Sequence, residues 1–298
     1  MGQIKFTRQM TVPQFEKLFP TDDACKAYLV ARRWPAGIRC PRCDNDSVYV
    51  VKTRPFHWQC HKCDKRGYRF SVLVGTIFEN TNKPMNIWFK VIYLMLTSKK
   101  GISSLQIHRM MGFGAYATAL YMTHRVRVGL ADPEFRKLMG IVEVDETYIG
   151  GKNKNRHADK RTPGTGSAGK EIVVGAVERK GNVVARVISH ANTATLNAFV
   201  RQAVSEKVSL IATDENAAYN PLDEIYNHGS VNHSAGQYVN GVVHTQTIDG
   251  FWSLFKRGIM GSFHKVSRKY LPLYVAEFEF RYNNRNNPNI FGAAIGRC

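Results

Sequence analysis

The sequence predicts a multidomain α+β protein, and three observations carry that expectation. Two C-x2-C motifs sit among short β-like runs early in the chain. Apolar residues then recur at helical spacing between about residues 84 and 128. From Gly140 onward the pattern changes to strand, strand, strand, helix, strand. Four divisions follow, at residues 1–35, 36–72, 73–135 and 136–298.

Residues 1–35 are expected to form a helical segment. Thr21 is placed to cap a helix opening at Asp22 and Asp23, with Ala24, Ala27, Tyr28, Val30 and Ala31 along it. Next come Cys40-Pro41-Arg42-Cys43 and Cys60-His61-Lys62-Cys63, with sixteen residues between the two motifs. Each C-x2-C puts two thiolates on one tight turn, and two such turns complete a tetrahedral Zn²⁺ site. The stretches Val48–Val51 and Phe56–Gln59 read as strands, so residues 36–72 have the layout of a zinc ribbon. Four Cys ligands close the site, which makes the zinc structural. His57 and His61 are alternative ligands, but the four-Cys register is more economical. Cys25 and Cys298 are read as packing or incidental residues.

Residues 73–135 read as a helical domain. Val72 to Phe78 is taken as a short β-like connection. Pro84 sits at a first helical turn, followed by Ile87, Val91, Leu94 and Met95 at helical spacing. A second helix runs from Ser103 or Ser104 to Met111 and breaks at Gly112-Phe113-Gly114; a third spans Ala115 to about Val128. Arg109, His124, Arg125 and Arg127 on this pair suggest a DNA-contacting helix-turn-helix, although an ordinary αα-hairpin has the same pattern.

Charge points to the partner. Lys plus Arg number 42 against 23 Asp plus Glu, a net +19. Residues 1–70 hold 14 basic against 6 acidic side chains, and residues 71–140 hold 9 against 3, so most of the positive field lies in the N-terminal half. A polyanion fits, because each phosphate contact releases condensed counterions. A membrane surface fits less well, since no terminal amphipathic helix or lipidation motif accompanies the charge. Ile87–Leu96 contains Lys90 and is too short to span a bilayer. The start lacks an apolar signal-peptide run, so a cytoplasmic location is expected, where thiols stay reduced.

Within residues 136–298, Ile141–Ile149, Glu171–Glu178 and Val183–His190 read as strands, Thr195–Ser205 as a helix and Val208–Thr213 as a fourth strand. That order opens a ribonuclease-H-like fold, in which the first and fourth strands lie side by side. Asp145 lies on the first and Asp214 ends the fourth, and Asp249 opens an amphipathic segment, 247–256. Convergent carboxylates of this kind can hold two divalent cations for phosphoryl transfer. Alternation puts Glu143, Asp145 and Thr147 on one strand face and Val144 and Glu146 on the other. Glu143 is then a supporting group or an exposed strand residue, and Glu146 a structural one. Residues 151–170 read as a basic loop, either a DNA contact or a solvated linker.

Taken together, these residues resemble the zinc-ribbon insertion-sequence transposases of the ISXO type, which are bacterial DDE enzymes. The resemblance rests on the cysteine ribbon, the 142–151 run Val-Glu-Val-Asp-Glu-Thr-Tyr-Ile-Gly-Gly, Thr213-Asp214, Val231-Asn232-His233-Ser234, the 244–258 run His-Thr-Gln-Thr-Ile-Asp-Gly-Phe-Trp-Ser-Leu-Phe-Lys-Arg-Gly, and Glu277–Asn283. It implies a transposase that binds terminal inverted repeats and cuts and joins DNA with two Mg²⁺ or Mn²⁺ ions on Asp145, Asp214 and Asp249. It also implies Lys256 as a phosphate or transition-state contact, double-stranded DNA as substrate and target, a homo-oligomer on DNA and a nucleoid location in bacteria. The chain departs from the family pattern in having Asp249 where Glu is usual, and Gln246 where many relatives carry Asn. Two rival readings are a catalytically inactive, transposase-derived DNA-binding protein and a nuclease of the same fold. The three carboxylates weigh against the first, and the ribbon and helical N-terminus against the second.

Overall fold

Thr11 and Thr21 start the first two helices by accepting hydrogen bonds from the amides of Gln14 and Ala24. The computed structural model describes residues 10–151, 157, 159, 169–232 and 239–298; His233 and most of the basic loop of 151–170 lie outside the described residues. The chain divides into two units, Met1–Leu130 with Asn284–Cys298, and Ala131–Asn283.

In the first unit, α1 (Val12–Leu18) and α2 (Asp22–Arg33) precede a three-stranded antiparallel sheet of β1 (Tyr49–Val50), β2 (His57–Cys60) and β3 (Tyr68–Ser71). The third strand therefore ends before the expected β-like stretch at Val72–Phe78, which is a series of turns instead. Backbone bonds of the Val74 amide to the Ser71 carbonyl and of the Thr76 amide to the Leu73 carbonyl make it curl rather than pair. Helices α3 (Met85–Thr97), α4 (Ser104–Met111) and α5 (Tyr116–Leu130) follow. Pro84 caps α3 and cannot supply a side-chain acceptor; the Asp22 carboxylate takes the Met85 amide instead. Gly112 ends α4 in the left-handed conformation, φ 61°, that glycine adopts without a steric penalty.

Of the basic residues expected to face DNA from α4 and α5, one is turned into the core. Arg127 is fully buried, Arg125 is half-buried with its guanidinium donating to the Glu79 carbonyl at 3.0 Å, and His124 is half-buried; Arg109 is exposed. Helical spacing alone could not separate the inner face of α5 from its outer one, because that helix is only weakly amphipathic.

The last helix, α9 (Ile290–Arg297), belongs to this first unit rather than continuing the domain read over 136–298. Phe291 explains why. Its ring lies 5.8, 5.3 and 5.5 Å from those of Phe15, Phe19 and Phe89, inside an aromatic core. The terminal Cys298 carbonyl accepts from the Ile77 amide at 2.8 Å. Cys25 and Cys298 are packing residues, and burial pushes both thiols up to about 12.

The second unit is a five-stranded sheet with helices on both faces. Its strands are β4 (Ile141–Ile149), β5 (Glu171–Glu178), β6 (Val183–Ile188), β7 (Leu210–Thr213) and β8 (His228–Ser230), in the order β6-β5-β4-β7-β8. The first three are antiparallel and β4-β7-β8 parallel. One face packs Val142, Val144, Val174 and Ala176 against α6 (Thr193–Ala203) and a 3-10 helix at Ala217–Glu224. The other packs Val173, Val177, Val183 and Ala185 against α7 (Gln246–Gly258) and α8 (Leu271–Asn283). The alternation along β4 and β5 thus feeds two cores from one sheet.

Edge strand β6 is covered by side chains of α8. Asn283 both accepts from the Val183 amide (2.7 Å) and donates to its carbonyl (2.9 Å), and Glu279, one turn earlier, accepts from the Ala185 amide (3.1 Å). The residue pair i and i+4 on a helix thereby matches i and i+2 on a strand, and an edge that could recruit another strand is satisfied.

Candidate active site and metal centre

Strand β4 places Asp145 in the middle of the sheet. The parallel register of β4 and β7 pairs Glu143 with Ala212; two residues on from that pair lie Asp145, still within β4, and Asp214, just past the end of β7. On the other side Asp145 pairs with Gly175 of β5. A Cβ built on Gly175 would meet the Trp252 ring at 2.8 Å and Ile248 at 3.2 Å, so the missing side chain is what lets α7 come down onto the sheet. Asp249 lies in the first turn of that helix. Lys256, two turns on, shares its exposed face, while Ile248, Phe251, Trp252 and Phe255 are buried.

Electrostatics brings the three aspartates into one field. The Asp145 carboxyl is pushed up to about 7, first by burial and then by the negative charges of Glu146, Asp214 and Asp249. A partly buried carboxylate crowded by three others is a place where hard cations would be favoured, and the donor set is all oxygen. The three aspartates are more widely spread than the thiols described below, since among the described residues only the cysteines bring three or more ligand atoms within 4.8 Å of one another.

Glu143 and Glu146, which sequence alternation assigned only loosely, have distinct places. Glu143 is fully buried. One of its oxygens accepts from the Thr247 and Ile248 amides at 2.7 and 3.0 Å, and the other from the Thr247 hydroxyl and Arg179 Nε at 2.8 and 2.7 Å. Those four donors fill the roughly four lone-pair sites of a carboxylate, so Glu143 has no capacity left for a cation. Glu146 points to the opposite face, where it accepts from Tyr219 Oη (2.6 Å) and Asn216 Nδ2 (2.7 Å). The Asn216 amide in turn donates to Asp214 Oδ1 at 3.1 Å, tying the second aspartate to β4.

Sequence reasoning missed Asn216, Tyr219, Arg179 and His228. His228 Nε2 lies 2.9 Å from the Thr213 hydroxyl and its Nδ1 2.6 Å from Asp223, bracing the residue just before Asp214. None of these has a motif of its own; each acts across a strand pair or from a turn. His244 lies 3.2 Å from Glu143, beside the start of α7.

In the first unit the four cysteines converge as their spacing requires. Cys40 Sγ lies 3.8 Å from Cys63 Sγ and Cys43 Sγ 3.7 Å from Cys60 Sγ. All four sulfurs lie within 4.8 Å of one another, and none forms a disulfide. Zn–S bonds of about 2.3 Å in a tetrahedron give sulfur separations of about 3.8 Å, so the thiols fit Zn²⁺. His57 contacts the Pro55 carbonyl and His61 the Gln59 side chain, leaving the four-Cys set complete.

Comparison with known proteins agrees with this arrangement. The ISXO2-like transposase domain matches residues 137–283, and the transposase zinc-ribbon domain matches residues 20–66, taking in α2 ahead of the ribbon. An uncharacterized protein in transposable element ISH50 of Halobacterium salinarum is 28% identical over 283 residues, covering 89% of this chain and 92% of that one. An uncharacterized transposase-like protein of Haemophilus influenzae is 31% identical over 104 residues, covering 33% of this chain and 78% of that one. A chain in the cryo-EM structure of the simian T-cell lymphotropic virus intasome in complex with PP2A regulatory subunit B56 gamma matches with a TM-score of 0.30 at 14% identity, over 65% of each chain; at that score the match carries no weight. The chain belongs to the ISXO2-like transposase family, with the zinc-ribbon domain that accompanies it here. Among the described residues no helix is long and apolar enough to cross a membrane.

Proposed function

We propose that the chain is the DNA transposase of a bacterial insertion sequence, with a ribonuclease-H-like catalytic domain and the ribbon and helices of residues 1–135 as its reader of terminal inverted repeats. The observation that carries this reading is the placement of three aspartates: Asp145 within β4, Asp214 just past the end of the paired strand β7, and Asp249 in the first turn of α7, whose start is bonded to Glu143 of β4. The β6-β5-β4-β7-β8 order supports the fold assignment. The three aspartates would hold two Mg²⁺ or Mn²⁺ ions. Bound there, such ions supply nucleophile activation and neutralise charge developing on the phosphate.

The chain's own residues do the rest by positioning. Water is the first nucleophile, attacking a phosphodiester at the element end and releasing a 3′-hydroxyl. That hydroxyl then attacks a target phosphodiester and displaces the target's own 3′ oxygen, so bonds broken and formed balance without a covalent enzyme intermediate. Lys256 on the exposed face of α7 is read as a contact to the DNA phosphate. A homo-oligomer on DNA brings two element ends together, in the bacterial nucleoid.

Cleavage and joining of a DNA duplex carrying the element's end test the proposal. Asp145→Asn and Asp214→Asn should abolish both steps while DNA binding persists, and EDTA should stop the native enzyme. Full activity in EDTA, or in either variant, sinks the metal mechanism. Cleavage without joining at any metal concentration selects a nuclease, and repeat binding without cleavage selects an inactive derivative. Changing Lys62, Lys65 and Arg66 on the ribbon to Gln should shallow the salt dependence of binding by about 0.9 per lost phosphate contact.

A further inference from the structure

Helix α7 begins without a cap of its own. Its N-cap residue, Thr245, makes no side-chain bond to the helix amides; the Thr245 hydroxyl turns instead toward Asp249 Oδ2, 3.4 Å away. The amides of the second and third helical residues, Thr247 and Ile248, donate to Glu143, which lies more than a hundred positions earlier on β4. A side-chain oxygen taking these amides is what an N-cap supplies, and a negative charge there also complements the helix dipole. Arg179 fixes the carboxylate from the far side, with Nε on Glu143 at 2.7 Å and Nη2 on the His244 carbonyl at 3.0 Å, so both the acceptor and the chain entering the helix are held.

We infer that Glu143 is the positioning residue of the third carboxylate: by capping α7 from the strand that bears Asp145, it sets where Asp249 stands relative to Asp145. This rests on the reading of Asp145, Asp214 and Asp249 as the cation-holding set. The two residues on β4 are separated by one position and share a sheet face, so one rigid strand carries a ligand and the anchor of another ligand. Glu143 is saturated by its four donors and acts only through α7. The Asp249 amide already bonds to the Thr245 carbonyl at 3.1 Å, so a shift of the helix start moves Asp249 with it.

The test is Mn²⁺ binding to the full chain without DNA, followed by electron paramagnetic resonance, in native protein, Glu143→Gln, Asp249→Asn and the double variant. Glutamine keeps the size but turns an amide toward N–H groups that need an acceptor. Glu143→Gln should weaken Mn²⁺ binding roughly tenfold or more, the range seen when partners of a metal ligand are lost. Added to Asp249→Asn it should cause no further loss, because the ligand it positions is gone. Hydrogen exchange at Thr247 and Ile248 should quicken in Glu143→Gln.

Native affinity in Glu143→Gln, with Asp249→Asn impaired, overturns the inference alone. An equal loss with and without Asp249 also overturns it, since that is the mark of a general structural role. If Asp249→Asn and Asp145→Asn both bind Mn²⁺ like the native chain, the carboxylate reading itself falls and takes this inference with it. Should Glu143→Gln fail to fold, Thr247→Val removes only the 2.8 Å hydroxyl bond, and it should give a smaller loss that again depends on Asp249; no loss there is equally decisive against the inference.

Discussion

Asp145 lies directly across the β4–β5 ladder from Gly175, and the space a side chain would take there is filled by the indole of Trp252. The position beside the central aspartate is thus reserved for the helix that carries the third one. Gly175→Ala should destabilise the second unit by about 1–3 kcal/mol through overpacking. It should lower DNA cleavage by more than that loss of stability explains, because Ile248 and Trp252 flank Asp249. Denaturation and single-turnover cleavage, measured together, check this; native values of both would show that α7 does not need the gap.

Position 249 offers a second test, since the chain carries Asp where the resemblance noted in its sequence implies Glu. Asp249 is exposed on its helix, so a longer side chain meets no packing barrier. Asp249→Glu should keep or raise strand joining, and Asp249→Asn should abolish it. Native joining by the Asn variant would remove this residue from the catalytic set.

The thiol cluster should hold one Zn²⁺ per chain by elemental analysis. Cys40→Ser, or prolonged chelation, should release it and lower the melting point of the first unit, because metal binding and folding are coupled in small ribbons. Zinc-free protein of unchanged stability would contradict the 3.7–3.8 Å sulfur geometry as a metal site.

The packing of α9 makes the far C-terminus part of the N-terminal core. Phe291→Ala should cost the first unit about 3–5 kcal/mol, the usual range for a deleted core phenylalanine. Ending the chain at residue 283 should act in the same direction. Both are read from the thermal transition of that unit, and both fail if it melts as in the native chain.

Stability of the second unit should depend on pH through Glu279. Burial, opposed by Arg186 and the Ala185 amide, raises its carboxyl from 4.5 to about 7. The folded state therefore holds a proton that the unfolded chain gives up earlier. Its contribution is complete below about pH 4.5 and is lost as pH rises through about 7. Glu279→Gln should flatten the stability profile across that window, and an unchanged slope would show that Glu279 does not set it.

Local chemistry made much of the fold legible in the sequence. The C-x2-C pairs specified a closed four-thiol site because two residues between cysteines leave both sulfurs on one turn. Continuous β-like runs marked β4 and β5 to the residue, since each is pressed between two apolar layers. The seven-residue spacing of Asp249 and Lys256 located both on one helix face by geometry alone. What the sequence could not decide was every relationship that depends on which distant surfaces meet. The burial of Arg127, the return of Phe291 to the first unit, the Asn216 bridge between Asp214 and Glu146, and the capping of α7 by Glu143 are all of this kind. Periodicity reports which side of an element is apolar, whereas a buried carboxylate is satisfied only when donors from elsewhere in the chain arrive. For Glu143 those donors come from residues 179, 247 and 248, and only tertiary folding brings them there.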